Sequence, residues 1–563
     1  TLSDWRQEQI EQLYPNKLNA YFDGLISSEL AIKVNIEEKG YQYYVDGKAD
    51  LTQASYDIST PLTKKLGTPA FVDISVLGDE NTNDFNFSLD SELFFTAILD
   101  NELSRFSQAN LTIGSDETLL PEQGFDIKLE MEQAEFEPTL AFVIDLIDTI
   151  DSQSESAQAA ATSDNSRSVI DAPHHIYGNI QNLAILEQEW QNVSLDGRPE
   201  DSAWLFSVGA KQTLTQVRVH NDVKQQGIDI RSTFLQIEVP ETPENEIAPV
   251  EPVLPQPPKL RDSAGLIRSL PPIQFFCDSC FYNQKPLGKV ELLTHSNGPE
   301  LVIEKATLQY KRNQVNLTGK WIGDSGEGRT QLSGAITSRY FGDWLLEYGL
   351  NTGIKESNAG IDLNLGWKSA PFLFGYETLN GNAKFKLGEG YFSEISDQGA
   401  RLVSLLSIDS LYRKLKLDFN DIFEKGLFYN DLKGNVVVRD GVAYSDNIKM
   451  DGVSGNMEMK GYTNLNTDAL EYNVSFAPNL TSSLGVLTWV AAANPLTIIG
   501  AFALDKILEE EGALAEIQME ITGTLKEPVV KEVKRFKKKV NMPTEQEIEA
   551  FRKVHPLPTP GDE

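Results

Sequence analysis

Short segments in which apolar and polar residues alternate recur along the chain, and they limit its fold more than any other feature. Clear examples lie at 382–388, 434–441, 454–461 and 471–476, with a last one at 515–525. Successive side chains on a β-strand point to opposite faces of the sheet, so each segment has one apolar and one polar face. The strands follow one another at intervals of roughly 8–15 residues without regular helices between them, which predicts a mostly β, mostly antiparallel fold.

Two stretches of unusual composition divide the chain. One is rich in Ser, Ala and Gln and lacks apolar periodicity, and the other is dense in Pro and Glu, which cannot serve inside a β-ladder. We predict a β repeat at 1–151, a flexible linker or loop at 152–168, a second β repeat at 169–239, a Pro-rich loop at 240–262, a C-terminal β region at 263–530, and a basic segment with a short helix and a tail at 531–563. In the first repeat, 2–25 is expected as helix or loop, and 140–150 fits either a helix or a strand.

Charge excludes one class of partner. The chain has 49 Lys and Arg against 83 Asp and Glu, a formal net charge of −34. Because binding nucleic acid requires a basic face, we expect no nucleic-acid partner.

The apolar fraction of 40% and the mean hydropathy of −0.30 exclude a polytopic membrane protein. The chain begins at Thr1 without a Met or a signal segment, so a fragment or a trimmed chain is expected.

The two cysteines, Cys277 and Cys280, form a Cys-x-x-Cys pair. Such a pair can be a redox site, half of a zinc site, a local disulfide or two inert thiols. Zinc needs two further ligands that the sequence does not supply, and a redox role needs a helix N-terminus where this sequence reads as a strand. We favour a disulfide in an oxidising compartment, and we predict no metal site and no cofactor.

Three short motifs have a chemical and a structural reading. The Gly-Asp-Ser-Gly at 323–326 is typical of a protease nucleophile loop, but no His lies in a matching context, so a hairpin loop is expected. Residues 79–84 place oxygen ligands at alternate positions as a calcium loop does, yet Asp84 stands where such loops need Gly, which favours a β-turn. His174 and His175 follow Pro173 and are expected in a loop. We predict no catalytic residues.

Four segments resemble a known family. They are Gly390-Tyr-Phe-Ser393, Gln398-Gly-Ala-Arg-Leu-Val-Ser-Leu-Leu-Ser407, residues 415–426, and Ile521-Thr-Gly-Thr-Leu-Lys-Glu-Pro-Val-Val530. In this order they resemble the C-terminal region of the YhdP branch of the AsmA-like proteins. These are bacterial envelope proteins of the repeating-β-groove, bridge-like lipid-transfer class. The resemblance is densest from about residue 270 to 530.

The resemblance implies a long, curved antiparallel sheet that forms an elongated apolar groove, with a short C-terminal helix pair. In that family the groove carries phospholipid through the periplasm of a Gram-negative bacterium toward the outer membrane. An N-terminal transmembrane helix anchors the much longer family protein in the inner membrane, and we expect that part to be missing here. Moving a phospholipid with about 30 methylenes through water costs on the order of 24 kcal/mol, at about 0.8 kcal/mol per methylene. An apolar groove removes most of this cost, so no reaction is required.

Alternating positions give the expected groove lining. It comprises Val315, Leu317, Ile361, Leu363, Leu365, Phe385, Leu387, Val436, Val438, Met457, Met459, Val474, Phe476, Ile517, Met519 and Ile521. The sequence does not separate lipid contacts from dry core at these positions.

The segment between Glu471 and Asp505 carries no charge, but Pro and Asn interrupt it, which favours two helices at about 480–493 and 496–510 over a single membrane span. These helices either cap the groove and touch the outer membrane or pack inside the protein. The candidate membrane contacts are Leu487, Trp489, Ile498, Ile499 and Phe502. The basic run at 534–539 either meets anionic headgroups or is a solvated end of a strand or helix.

Two other functions remain open. A structural or assembly scaffold, as in TamB-like relatives associated with the insertion of outer-membrane proteins, would capture a barrel-protein partner without lipid. A carbohydrate-active β-solenoid enzyme would need paired carboxylates, and no pair stands out among the acidic residues.

Overall fold

The computed structural model describes residues 2–6, 9, 16–158, 170–238, 262–393, 427–478 and 513–538, except 37, 39, 60, 186, 187, 351, 454 and 526. The chain divides into two compact units. The first comprises Thr1–Ala248 and Pro271–Val290, and the second comprises Pro249–Leu270 and Glu291–Glu563. Strands dominate both units, which confirms the mostly β prediction.

The first unit is built almost entirely of strands. Its elements are β1 (Leu2–Arg6), a 3-10 helix (Lys17–Tyr21), β2 (Phe22–Ile36), β3 (Tyr41–Asp50), β4 (Ala54–Ser59), β5 (Leu62–Lys64), β6 (Phe71–Gly78), β7 (Thr82–Leu89), β8 (Leu93–Asp100), β9 (Arg105–Ile113), β10 (Gly124–Glu135), α1 (Phe136–Gln158), β11 (His175–Ile185), β12 (Gln188–Glu200), β13 (Ala203–Ala210), β14 (Thr213–His220), α2 (Val223–Gln226), β15 (Ile228–Ile237) and β16 (Ile273–Tyr282). Strand β17 (Lys285–Asn297) contains the division point between the units.

The second unit contains the following elements. They are α3 (Ser263–Ser269), β18 (Glu300–Tyr310), β19 (Asn313–Ile322), β20 (Arg329–Ser338), α4 (Phe341–Glu347), β21 (Ile354–Lys355), β22 (Ala359–Trp367), a 3-10 turn (Tyr376–Thr378), β23 (Asn380–Leu387), β24 (Gly390–Phe392), β25 (Leu427–Arg439), β26 (Val442–Gly452), β27 (Gly455–Asn464), β28 (Ala469–Pro478), β29 (Ala513–Thr524) and β30 (Pro528–Lys538).

Neighbouring strands in the first unit pair mainly in antiparallel fashion, from β1 and β2 through β3 and β6 to β9, and from β11 to β15. Three pairs are parallel: β9 with β10, β10 with β11, and β15 with β16. A parallel pair needs a crossover connection, and these connections are the segment 114–123, the segment that contains α1, and the segment 238–272. The predicted antiparallel sheet therefore has three parallel exceptions in this unit.

The second unit forms one antiparallel ladder in which nearly every strand pairs with its successor. Its order is β18, β19, β20, β22, β23, β25, β26, β27, β28, β29 and β30, and the short β21 and β24 pair at the start of β25. Among the described residues β30 pairs with β29 alone, so the ladder ends there without closing.

One face of the second unit's ladder is apolar, and we call it the inner face. Its register places Val315 opposite Ile336, Ile336 opposite Ile361, and Ile361 opposite Phe385. The side chains between these positions point to the opposite, outer face, which carries polar residues such as Asn364. Period-two alternation on each strand therefore adds up to a two-faced sheet.

Glycines on the inner face allow the strands to bend. A Cβ atom at Gly319, Gly334 or Gly381 would lie 2.0–2.1 Å from a backbone oxygen of the neighbouring strand. Only glycine tolerates such a close approach of two backbones, and glycine kinks of this kind give a sheet its curvature.

Two local predictions need correction. Residues 2–25 were expected as helix or loop, but Leu2–Arg6 forms a strand because it pairs with β2. Helix α1 settles 140–150 as helical and continues to Gln158, so it enters the range 152–168 that was predicted as linker. No Gly or Pro interrupts 152–158, and its Ser, Glu, Ala and Gln residues are compatible with a helix. The predicted repeat boundaries at 151, 239 and 262 stay predictions.

Candidate functional site

The structure places all sixteen predicted lining residues on the inner face of the second unit. The strand registers connect them in rows across the ladder, for example Leu317 to Gly334 to Leu363, and Met459 to Val474 to Met519. The β-bulge between β25 and β26 leaves the inner-face residues of the two strands opposite one another, since Leu432 pairs with Met450 before the bulge and Val438 pairs with Ala443 after it. Sequence alternation therefore identified one continuous surface.

The first part of this surface is open, and we call it the open stretch. It comprises the inner-face side chains in the central parts of β19, β20, β22, β23 and β25, each half-buried: Val315, Leu317, Leu332, Ile336, Ile361, Leu363, Leu365, Phe385 and Val436. These aliphatic and aromatic groups retain part of their surface for contact with a further apolar group.

The rest of the surface is closed, and we call it the sealed stretch. Its members on β26–β29 are at most 2% exposed and form one core cluster: Ile448, Met450, Met457, Met459, Tyr472, Val474, Phe476, Ile517, Met519 and Ile521. Leu432 and Tyr429 on β25 belong to the same cluster. Burial in this core raises the pKa of Tyr429 to about 12. Seven of the sixteen predicted lining residues lie here.

Protein elements border the open stretch at both strand ends. At one end, Trp321 of β19 packs with Ile267 of α3 and with Ala370 from the loop that joins β22 to β23. At the other end, Phe341 of α4 packs against the cluster that contains Ala359 and Leu387. Apolar packing therefore borders the open stretch at both strand ends, and we call the open stretch and these two borders together the trough.

The first unit has an apolar surface of its own on β2, which we call the bare face. Leu30, Ile32, Val34 and Ile36 point to one side of the strand and are 63%, 64%, 56% and 86% exposed. Their partners on β3, such as Val45 opposite Ile32, continue the surface. Alternation predicted this strand, but nothing in the sequence signalled that its apolar side would remain uncovered.

The outer face of the open stretch is hydrophilic. A concavity of about 610 Å³ crosses β18–β20, β22 and β23, and the hydroxyl and amide groups of Thr318, Gln331, Ser333, Asn364 and Asn380 form part of its lining, together with glycines and two aliphatic side chains. Lys320 in this concavity pairs with Glu300 at 2.9 Å. The two faces of the same strands therefore differ sharply in polarity.

Cys277 and Cys280 are joined in a disulfide within β16, and both are nearly buried. The residues that the structure describes contain no group of three His, Cys, Asp or Glu side chains placed to hold a metal ion.

The other motifs occupy turns and strand ends. Residues 323–326 lie in the hairpin loop between β19 and β20, as predicted, and the Asp324 carboxylate accepts hydrogen bonds from the Gly326 and Gly328 amides at 2.7 and 3.1 Å. Asp79 accepts from two amides in the turn between β6 and β7, and these bonds lower the pKa of its carboxyl. His175 is not in a loop but begins β11, because its strand pairs with β10, and its ring lies 2.9 Å from Asp196.

The membrane-contact candidates Leu487, Trp489, Ile498, Ile499 and Phe502, and both predicted helices at 480–510, lie outside the described residues. The basic run reaches into β30, where Lys534 lies over the Phe536 ring at 4.4 Å and Arg535 pairs with Glu532 at 2.8 Å. Among the helices of the described residues, none combines the length and apolar character required to cross a bilayer.

Comparison with known proteins decides the family. The chain matches the family described as YhdP protein over residues 3–530. The chain belongs to the YhdP family. Membership confirms the resemblance found in the sequence, and mostly β strands with few helices are what that resemblance implied.

A curated relative adds a functional context. The chain is 25% identical over 532 residues to the intermembrane phospholipid transporter YhdP of Escherichia coli strain K12, an alignment that covers 93% of this chain and 40% of the relative. The chain thus spans less than half the length of that member of the YhdP family. No solved structure matches the chain significantly.

Proposed function

We propose that this chain binds the acyl chains of phospholipids along its apolar faces and passes them on without any chemical reaction. The observation that carries the proposal is the bare face of β2, where four aliphatic side chains in a row are more than half exposed. A soluble fold gains by burying such side chains, at about 25 cal/mol per Å² of apolar surface. A contiguous exposed apolar surface therefore marks a binding site.

The open stretch of the second unit supplies a second surface of the same kind. Its lining is aliphatic apart from Phe385, and its outer side is polar. Acyl chains need apolar contact without directional hydrogen bonds, which matches this lining, while a phosphate headgroup needs water or polar partners. The headgroup would therefore stay at the open side of the trough.

The family relationship supports the cellular setting of the proposal. The E. coli relative is named an intermembrane phospholipid transporter. By analogy, this chain would act in the periplasm of a Gram-negative cell as part of a path between the inner and outer membranes. An upstream anchor in the inner membrane and outer-membrane contact through 480–510 belong to the same proposal. No observation on the described residues favours the scaffold alternative over lipid transport.

Two charges introduced into the open stretch provide the test. The double variant Leu363→Asp with Val436→Asp places two carboxylates where acyl chains would lie. We expect its phospholipid-to-protein ratio after purification, measured by mass spectrometry, to fall by about tenfold or more, since desolvating a carboxylate against an acyl chain is strongly unfavourable. Circular dichroism would verify that the variant folds.

The matched control is Asn364→Asp with Asn435→Asp, which adds the same charge on the outer face of the same strands. The control should keep the lipid content of the unmodified chain. A chain that purifies without lipid and takes none up from phosphatidylethanolamine vesicles would refute the proposal. Equal lipid content in both double variants would remove the open stretch as the binding surface.

A further inference from the structure

The loop that joins β22 to β23 exposes an unusual set of aromatic side chains. Phe372 is 70% exposed, Phe374 is 49% exposed, and Tyr376 is 37% exposed. Phe374 and Tyr376 lie edge to face with ring centroids 5.2 Å apart. Scattered apolar residues on a surface are ordinary, but three neighbouring aromatic rings in one short loop form a patch.

The base of this loop is firmly held. The Trp367 indole N–H donates to the Ala370 carbonyl at 3.1 Å, and the Thr330 hydroxyl donates to the Ser369 carbonyl at 2.7 Å. Ala370 is fully buried against Trp321 and Ile267. The loop is therefore a built part of the trough wall, and its exposed rings are held in place from below.

The aromatic rings lie over the inner face. Phe372 packs edge to face on Trp321, with centroids 6.0 Å apart, and Phe374 packs in the same way on Trp367 at 5.3 Å. Trp321 and Trp367 are inner-face residues, because the register pairs both of them with Thr330 in the row next to Leu332. The exposed rings thus extend the apolar surface of the open stretch up its wall.

We propose that Phe372 and Phe374 form a lipid-contacting wall of the trough, at which the acyl chains of a bound phospholipid touch protein beyond the sheet itself. This inference rests on the proposed function, and it adds a specific contact that alternation along the strands does not reveal. Aromatic rings suit this role because they present a large apolar area and few rotatable bonds. A bilayer surface as the partner is less favoured, since the rings stack on inner-face tryptophans.

Photo-crosslinking tests the contact directly. Phe372→p-benzoylphenylalanine in the full chain, loaded with phosphatidylethanolamine and irradiated, should gain the mass of one phospholipid. Leu363→p-benzoylphenylalanine on the trough floor is the positive control, and Asn364→p-benzoylphenylalanine on the outer face is the negative control. We expect adducts at positions 363 and 372 in comparable yield and none at 364.

Affinity supplies an independent readout. Replacing both rings, Phe372→Ser with Phe374→Ser, should weaken retention of a fluorescent phosphatidylethanolamine by about tenfold, the loss of two aromatic contacts. The matched control is Phe428→Ser, which removes an exposed phenyl ring from the outer face of β25 and should leave retention unchanged.

The outcomes separate the two proposals. An adduct at 363 without one at 372, or unchanged retention in the double Ser variant, overturns the wall contact and leaves the proposed function intact. If neither position 363 nor position 372 gives an adduct, lipid binding by the second unit as a whole is contradicted.

Discussion

The open and sealed stretches of the second unit have the same sequence pattern and the same position on the inner face, yet they differ in what covers them. Leu363 in the open stretch is half-buried, whereas Met459 in the sealed stretch is completely buried. Both occupy alternate positions of antiparallel strands in one ladder. Apolar alternation thus selects the face that avoids water, but tertiary packing decides whether protein covers that face or leaves it accessible.

Under the proposed function, the difference also limits where an acyl chain would lie. A side chain with no accessible surface has no room for an acyl chain beside it, because protein interiors are packed as densely as organic crystals. The sealed stretch therefore acts as a protein core that holds β26–β29 together. Among the residues that the structure describes, the open stretch and the bare face of β2 are two surfaces with accessible apolar area.

The largest expected effect comes from a charge in the sealed stretch. Val474→Asp would bury a carboxylate among Met459, Phe476 and Met519, with no partner to compensate it. We expect a loss of more than about 4 kcal/mol in the free energy of unfolding, enough to disrupt the second unit. Urea denaturation followed by circular dichroism would measure it.

Two matched variants sharpen this contrast. Asn473→Asp adds the same group to the outer face of the same strand and should change stability by no more than about 0.5 kcal/mol. Leu363→Asp in the open stretch should fall between the two, because its carboxylate can reach solvent. If Val474→Asp and Leu363→Asp were equally mild, the division into open and sealed stretches would be wrong.

Alkaline pH should lower the free energy of unfolding by an intermediate amount, because it ionises Tyr429 of the sealed stretch. Burial keeps the Tyr429 phenol neutral and raises its pKa to about 12, against 10.0 for an exposed tyrosine. Its contribution to stability is complete below about pH 10 and is lost as the pH rises toward 12, because the unfolded chain ionises first. The loss would be on the order of 2–3 kcal/mol.

The Tyr429→Phe variant isolates this contribution. Phe cannot ionise, so the variant should lose less stability than the unmodified chain between about pH 9 and pH 11.5. Tyr56 in the first unit also has a pKa of about 12 and is present in both proteins, so the difference between them reports on Tyr429. Identical pH profiles for the two proteins would contradict the assignment.

The sequence revealed the strands and their sidedness because period two fixes which way each side chain points. If neighbouring strands are taken as antiparallel, alternation alone puts Val315, Ile361 and Val474 on the same face of the sheet. The structure confirms this placement across the seven strand pairings that connect β19 with β28. The sequence did not reveal the three parallel pairs of the first unit, since alternation carries no information about the direction of the next strand.

The sequence also did not predict which inner-face side chains other parts of the protein would cover. Nothing local distinguishes Leu363 from Met459, because both are apolar residues at alternate positions of a strand and the pattern carries no information about what packs over them. Phe372 and Phe374 lie in a loop without periodicity, so only their stacking on Trp321 and Trp367 connects them with the trough.

The smallest effect concerns the glycines that bend the sheet. An Ala Cβ at Gly334 in the open stretch would meet the Asn316 carbonyl oxygen at 2.0 Å, and one at Gly461 in the sealed stretch would meet that of Glu471 at the same distance. Gly334→Ala should cost about 1–2 kcal/mol and Gly461→Ala more, because the open stretch can shift while a packed core cannot. Gly360→Ala, with nothing within 4 Å of the added atom, should be neutral or slightly stabilising. The urea midpoints of the three variants would rank their losses of stability. A larger loss for Gly334→Ala than for Gly461→Ala would mean that the open stretch is at least as rigid as the sealed one.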